Sequence, residues 1–486
     1  MILSKEQINR YLRHIIIPEI SGPGQKKITK IKICLYASTV QEASSLIYYL
    51  AASGIGFISC SFKDDRGCDA LYKNIKDLNG DVVIETFDNQ LPGHISSVFD
   101  EDFVIRILIS KYMGLQDNLI SFSSSHGLCK FIPTVVAINS GWNGSLKTFN
   151  NQDDFNDLLI NPLPVDLNSH GNTTHEKKGN ILSNCLLGAL TTVECIKLCL
   201  KIGIVLDKPL CFNLLSMKFY KPDNENLNLA ITDFFNSKNE LHANLEKTHN
   251  SKKLSDSKVL IVGVGGLGSP VAYALSLLGI GTIGLVDYDK VEISNLNRQI
   301  LHTTSRIGMP KVASAKVFIK NLNPNVNIVT YNTGLNTSNA INIIKDYDII
   351  IDGVDNFKCR YLLNDSCFLA DKPLVDAAAI RFHGLIMTMV PNKSPCYRCV
   401  FPVIPNQNST MSCSESGVLG PLPGVMGFLQ AAEVVKFLLD TGDTLSNRII
   451  YYDALDSDFD TIGTHKLAKC DLCGDNPTIT VKSSSR

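Results

Sequence analysis

The chain has almost no net charge: 46 Lys and Arg oppose 47 Asp and Glu, leaving −1 over 486 residues. No basic stretch runs longer than a few residues, so the electrostatic footprint of a nucleic-acid or anionic-membrane binder is missing. An export signal is not expected either, because Met1–Arg13 carries charges where a signal peptide needs an apolar core. The 15 cysteines are odd in number and scattered, which argues against a disulfide framework and for a reducing, cytoplasmic setting. Most, such as Cys34, Cys60, Cys195 and Cys199, sit in apolar runs and read as small buried hydrophobes. There is no tract of a single residue type.

What is present is one unit written twice. Ile75-Lys76-Asp77-Leu78-Asn79 returns as Ile319-Lys320-Asn321-Leu322-Asn323, and Gly54-Ile55-Gly56 as Gly279-Ile280-Gly281. Gly188-Ala189-Leu190 with Glu194 and Lys197 matches Gly427-Phe428-Leu429 with Glu433 and Lys436. The first copy is short of part of the segment corresponding to Asn297–Lys316, which holds Arg298 and Lys311. The length suits two or three domains. Two segments read as poorly structured connections: Asn150–Asn180, rich in Asn, Asp, His, Gly and Thr, and the polar stretch Lys221–Asp256. The expected organisation is a first domain over 1–220, a linker over 221–256 and a second domain over 257–486.

Val259–Val286 is uncharged and long enough to span a bilayer. Its glycines break it up. Lys258–Val262 is a short β-rich run, Pro270–Leu278 reads as a helix with proline near its first position, and Gly284–Asp287 is a second strand. A buried βαβ unit is the expectation.

The chemistry starts at Gly263-Val264-Gly265-Gly266-Leu267-Gly268, directly after that strand and before that helix, where backbone N–H groups can approach a phosphate. Asp287 and Asp289 follow at the end of the next strand, where a carboxylate can accept from ribose hydroxyls. So far a nicotinamide oxidoreductase fits as well as an ATP enzyme. Ser294-Asn295-Leu296-Asn297-Arg298-Gln299, Gly308-Met309-Pro310-Lys311 and Asp352-Gly353-Val354-Asp355-Asn356 then supply two cations and a strand-end aspartate. A triphosphate demands that set, whereas hydride transfer needs neither cation. Cys396-x-x-Cys399 and Cys470-x-x-Cys473 have the spacing of zinc knuckles, and four thiolates around one Zn²⁺ leave no open position, so the site would be structural. Isolated histidines such as His302 and His383 read as surface or packing residues.

With these motifs in this order, Lys258–Gly474 resembles the MoeB/ThiF (HesA/MoeB/ThiF) family, prokaryotic relatives of ubiquitin-activating enzymes. The resemblance implies an α/β fold of two tandem Rossmann-like domains, mostly parallel sheets flanked by helices and paired as a pseudo-dimer. It implies adenylation of the carboxyl terminus of a MoaD/ThiS-like carrier ending in Gly-Gly, with ATP and Mg²⁺. Gly263, Gly265, Gly266, Gly268, Asp287, Asp289, Asn295, Arg298, Lys311, Asp355 and Asn356 would bind the nucleotide, and Asp355 rather than Asp352 would hold Mg²⁺. Arg10-Tyr11-Leu12-Arg13-His14-Ile15 resembles the family segment whose arginine reaches a partner's ATP site. Arg13 is the matching position, donated here within one chain. In the first copy Ser38-Thr39-Val40-Gln41-Glu42-Ala43 replaces the glycine loop, so that half is not expected to bind ATP. Cys413 stands where some family members form a thioester or acyl-disulfide and others dispense with the cysteine, and both readings stay open. No sulfurtransferase domain follows Cys473, so sulfur would come from a separate sulfurtransferase or cysteine desulfurase. The alternative function is modification of a ribosomal peptide's carboxyl terminus. With both halves in one chain, a monomer is plausible.

Overall fold

The computed structural model describes residues 3–87, 104–111, 132–155, 174–222, 253–404 and 416–479, and the features below are those of these residues. The first part of the chain contributes β1 (Lys32–Thr39), β2 (Phe57–Asp64), β3 (Val83–Thr86), β4 (Val104–Lys111), β5 (Thr134–Ser140), β6 (Asn143–Phe149), β7 (Leu210–Asn213) and β8 (Lys218–Tyr220). The second contributes β9 (Lys258–Val262), β10 (Thr282–Val286), β11 (Asn327–Tyr331), β12 (Ile349–Asp352), β13 (Leu374–Ile380), β14 (His383–Met389), β15 (Arg448–Asp453) and β16 (Asp458–Gly463). They form two eight-stranded sheets of equivalent order, β3-β2-β1-β4-β5-β6-β7-β8 and β11-β10-β9-β12-β13-β14-β15-β16. Each sheet is parallel up to its fifth strand and antiparallel beyond it. The central strands β9 and β12 are near-continuous in Ile, Leu and Val, as suits strands covered on both faces.

The repeated Gly…Glu-x-x-Lys pattern becomes a repeated piece of structure. It lies on the helices Thr174–Leu200 and Leu422–Leu439, which pack against each other and against the sheets. Lys197 pairs with Glu194 at 2.6 Å and Lys436 with Glu433 at 2.5 Å, all four side chains at most 1% exposed. Glu194 accepts from the Leu206 N–H and Glu433 from the Leu445 N–H, so each buried pair has the hydrogen bonds that burial of charge requires. Both helices are long and apolar enough to cross a membrane, but 94% of each apolar window is buried inside the protein. The run Val259–Val286 resolves into strand, loop, helix and strand.

Tyr48, Tyr49, Tyr273, Phe318 and Phe428 join the two halves in one apolar core. Tyr49 meets Phe428 edge-on at 6.0 Å and Tyr48 meets Tyr273 at 5.8 Å, contacts worth about 0.5–1.5 kcal/mol each beyond their burial.

The halves differ where the second carries its motifs. β1 runs straight into the helix Val40–Ser53, capped by the Thr39 hydroxyl, whereas residues 263–267 separate β9 from the helix Gly268–Leu277. A short turn joins β2 to the helix Cys68–Leu78, while β10 reaches the helix Lys311–Leu322 through a long segment with two 3-10 turns, Ile293–Asn295 and Thr304–Arg306. One expectation needs correcting. The stretch Asn150–Asn180 is not a loop throughout, since Thr174 already begins the long core helix, where Gly179 packs on Trp142 and Ser183 bonds back to the Gly179 carbonyl.

Candidate active site and candidate zinc centre

The glycine loop is built by close backbone approach. Gly263 has φ +90°, and a Cβ there would sit 2.5 Å from the Gly353 carbonyl oxygen; a Cβ on Gly268 would sit 2.0 Å from the Gly263 oxygen. Gly263, Gly265 and Gly266 line a cavity of 1730 Å³. Asp287 braces the loop: its Oδ2 accepts from the Val264 N–H and its Oδ1 from the Asp289 N–H, both at 2.8 Å. Burial pushes its carboxyl up, and the nearby Lys311 opposes that rise. Asp289 pairs with the Lys311 ammonium at 2.8 Å.

The same cavity is lined by Arg298, Lys311, Asp355 and Asn356 of the second half and by Arg13 of the first. Arg13, Arg298 and Lys311, from separate elements, thus line one cavity with the glycine loop. Arg298 is held by the Ser294 carbonyl at 2.8 Å and by Asn297 Oδ1 at 2.7 Å. Arg13 is fixed through its backbone, its carbonyl accepting from the Val418 N–H at 3.2 Å. Asp355 is exposed at the cavity, and Asn356 caps the helix Phe357–Leu369 by accepting from the Cys359 N–H at 2.9 Å. A divalent cation has access to Asp355, whereas Asp352 is fully buried.

Asn295 does not join this group. Its amide oxygen accepts from the Glu292 N–H at 3.0 Å, closing the 3-10 turn, and the residue is outside the cavity lining. Cys413 falls in 405–415, outside the described residues. His302 is a packing residue, bonded to Ser314 and the Val264 carbonyl and held down to about 3 by burial.

Sequence reasoning missed a buried triad beside the Asp355 loop. Arg360 pairs with Asp376 and donates to the Val354 carbonyl at 2.9 Å, while the Val354 N–H donates to Asp352 at 3.0 Å. One oxygen each of Asp352 and Asp376 has no other partner, and the two carboxyls are within hydrogen-bonding reach of one another. Burial pushes Asp376 up to about 8, against the pull of Arg360, and the neighbouring Asp352 carboxyl adds to the rise. Because folding favours the protonated form, this stabilisation is complete below about pH 4 and is lost as pH rises through about 8. Thermal unfolding should therefore show Asp376→Asn gaining on wild type from about pH 5 to about pH 8.5. A gap independent of pH would exclude a raised Asp376 carboxyl.

Beyond the cavity wall formed by Tyr397, Arg398, Val400 and Phe401 lie Cys396, Cys399, Cys470 and Cys473, all buried. Their sulfurs fall within 4.8 Å of one another, with separations of 3.3 Å for Cys399–Cys473, 3.5 Å for Cys396–Cys470 and 3.9 Å for Cys396–Cys399. A tetrahedron with Zn–S bonds of about 2.3 Å has edges of about 3.8 Å, so the donor set fits Zn²⁺.

Residues 238–473 match the ThiF family. The SAMP-activating enzyme E1 of Haloferax volcanii is 42% identical over 223 residues, 46% of this chain and 82% of that protein. The chain belongs to the ThiF family. Among other ThiF relatives, the adenylyltransferase and sulfurtransferase MOCS3 of Dictyostelium discoideum is 48% identical over 229 residues, covering 47% of this chain and 54% of the relative. The chain spans about half the length of the MOCS3 relatives it matches. A crystal structure of E. coli MccB with ATP aligns with 51% of the chain and 83% of MccB, at 25% identity and a TM-score of 0.42.

Proposed function

We propose that this ThiF-family chain is an adenylyltransferase that activates the C-terminal carboxylate of a ubiquitin-like sulfur-carrier protein with ATP. The observation that carries the reading is the convergence of Arg13, Arg298 and Lys311 on one cavity at the glycine loop. The likenesses to a SAMP-activating E1 and to MOCS3 support it. The carrier carboxylate, already ionised at neutral pH, attacks the α-phosphate, giving an acyl adenylate and pyrophosphate without a general base. The chain's work is positioning and charge compensation. Backbone N–H groups of the glycine loop receive phosphate oxygens, Asp287 and Asp289 receive the ribose, and the three cations offset charge building on the phosphates. Asp355 would hold Mg²⁺, which supplies a further positive centre for phosphate oxygens.

Residues 1–220 act on this reading as a half without its own nucleotide site that lends Arg13 across the interface, 221–256 as a linker and 257–486 as the adenylating half. Cys413 is left to the carrier step after adenylation, sulfur coming from a separate sulfurtransferase or cysteine desulfurase. A cytoplasmic setting suits the described cysteines, all of which are free. The test is ATP–pyrophosphate exchange with candidate carriers ending in Gly-Gly. Wild type should exchange only with a carrier present, and Lys311→Ala should lose roughly 10²-fold in rate. Exchange with a short peptide alone would move the assignment to peptide modification, and NAD(H) binding without exchange would defeat both.

A further inference from the structure

Arg13 and Arg298 come from opposite halves, yet a single backbone segment touches the supports of both. Gly417–Gly420 lies between the first-half segment around Arg13 and the strand end at Arg381. The Val418 N–H donates to the Arg13 carbonyl, while Arg381 and the segment exchange two backbone hydrogen bonds of 2.9 Å. Gly417 has φ +79°, and a Cβ there would meet the Arg13 carbonyl oxygen at 2.7 Å. Gly420 is the tightest point. A Cβ there would lie 2.6 Å from the Asn297 carbonyl oxygen and 2.9 Å from His14 Nε2. Asn297 in turn accepts from Arg298 at 2.7 Å.

His14 closes the assembly. It is fully buried, its Nε2 accepts from the Gly420 N–H at 2.6 Å, and its Nδ1 lies 2.8 Å from Gln25 Oε1, which can only accept. The ring is therefore the neutral Nδ1–H tautomer. Burial, with the neighbouring Arg298 guanidinium adding to it, holds its pKa down to about 4. Gln25, also fully buried, is anchored by donating to the Ser53 carbonyl at 2.9 Å. Hydrogen bonds from Ser53 through Gln25 and His14 to Gly420 thus tie the helix Val40–Ser53 of the first half to a glycine that leaves no room for a side chain beside the Asn297 carbonyl, next to Arg298 of the second.

We propose that His14 is a positioning residue that sets Arg13 and Arg298 in one register through Gly420. The inference rests on the reading above only in what the two arginines are for. The register itself is a property of the unliganded chain, and it is tested on the full-length protein in two ways.

Hydrogen–deuterium exchange without substrate should show residues 10–17 and 416–420 of His14→Ala losing protection together, while the helix Gly268–Leu277 is unchanged. His14→Gln, whose amide can accept from Gly420 and donate to Gln25, should keep the protection. Unaltered protection in His14→Ala overturns the proposal, whatever the enzyme's activity. In carrier-dependent exchange, His14→Ala should lower kcat roughly 10-fold to 100-fold, the scale of a small misplacement, with little change in KM for ATP. His14→Gln should recover most of the loss, and the Arg13→Ala/His14→Ala pair should lose less than the product of the two single losses, the part that remains acting through Arg298. Fully additive losses would mean that His14 does not act through Arg13, and would overturn the proposal. If wild type exchanges with no carrier, the functional reading fails and hydrogen exchange still decides the register.

Discussion

Arg13→Ala is expected to slow carrier-dependent ATP–pyrophosphate exchange by roughly 10³-fold while leaving the fold intact, the scale seen when an arginine is withdrawn from phosphoryl chemistry. Arg13 adds a positive side chain from the first half to a cavity that otherwise draws Arg298, Lys311, Lys358, Arg360 and Arg398 from the second, and Lys311, Arg360 and Arg398 are already paired with Asp289, Asp376 and Asp365. The contribution should appear mainly in kcat, because charge on the phosphate oxygens redistributes most in the transition state. Arg13→Lys should recover only part of it, since an ammonium offers a point charge where guanidinium offers a planar fork. The fold should tolerate both changes, because the segment is held by the Arg13 backbone carbonyl and the buried His14. A loss below about 3-fold, well under the scale of a transition-state contact, would remove the first half from the active site.

Loss of zinc should be the largest effect on stability. Cys399→Ala is expected to abolish the one tightly bound zinc per chain and to cost at least about 4 kcal/mol, lowering Tm by roughly 10 °C, because the free energy of a closed thiolate site is folding free energy. The damage should reach the cavity. Cys396 and Cys399 flank Tyr397 and Arg398, and Arg398 forms a paired contact with Asp365 at 2.8 and 2.7 Å on the cavity wall. Chelation of wild type should reproduce the loss, and zinc should restore it in wild type only. Metal content that is zero in purified wild type, with an unchanged Tm on adding zinc, would refute the assignment.

The glycine loop, Lys311, Asp355 and the cysteine pairs were legible in the sequence because each is a local signature at a strand end or a fixed spacing. The repeated Gly…Glu-x-x-Lys pattern was legible for the same reason, and it places equivalent buried ion pairs in the two halves. What escaped is non-local. Asp376 sits in Leu374–Ile380, a run that reads as an ordinary buried strand, and its partner Arg360 lies on a different element. His14 bonds Gly420 across 406 positions, so no spacing rule could pair them. Asn295, which the resemblance assigns to the nucleotide, uses its amide oxygen in the local turn and lies outside the cavity lining. The helical character from Thr174 onward was hidden by the polar stretch Thr174-His175-Glu176-Lys177-Lys178, where His175 Nδ1 accepts from the Trp142 indole N–H at 3.2 Å.

Because Arg13 and the glycine loop line one cavity and belong to one polypeptide, that cavity assembles by a unimolecular step. Two separate subunits would part on dilution below their dissociation constant, whereas tethered halves meet at an effective concentration on the order of millimolar. Specific activity should then be independent of enzyme concentration down to the nanomolar range.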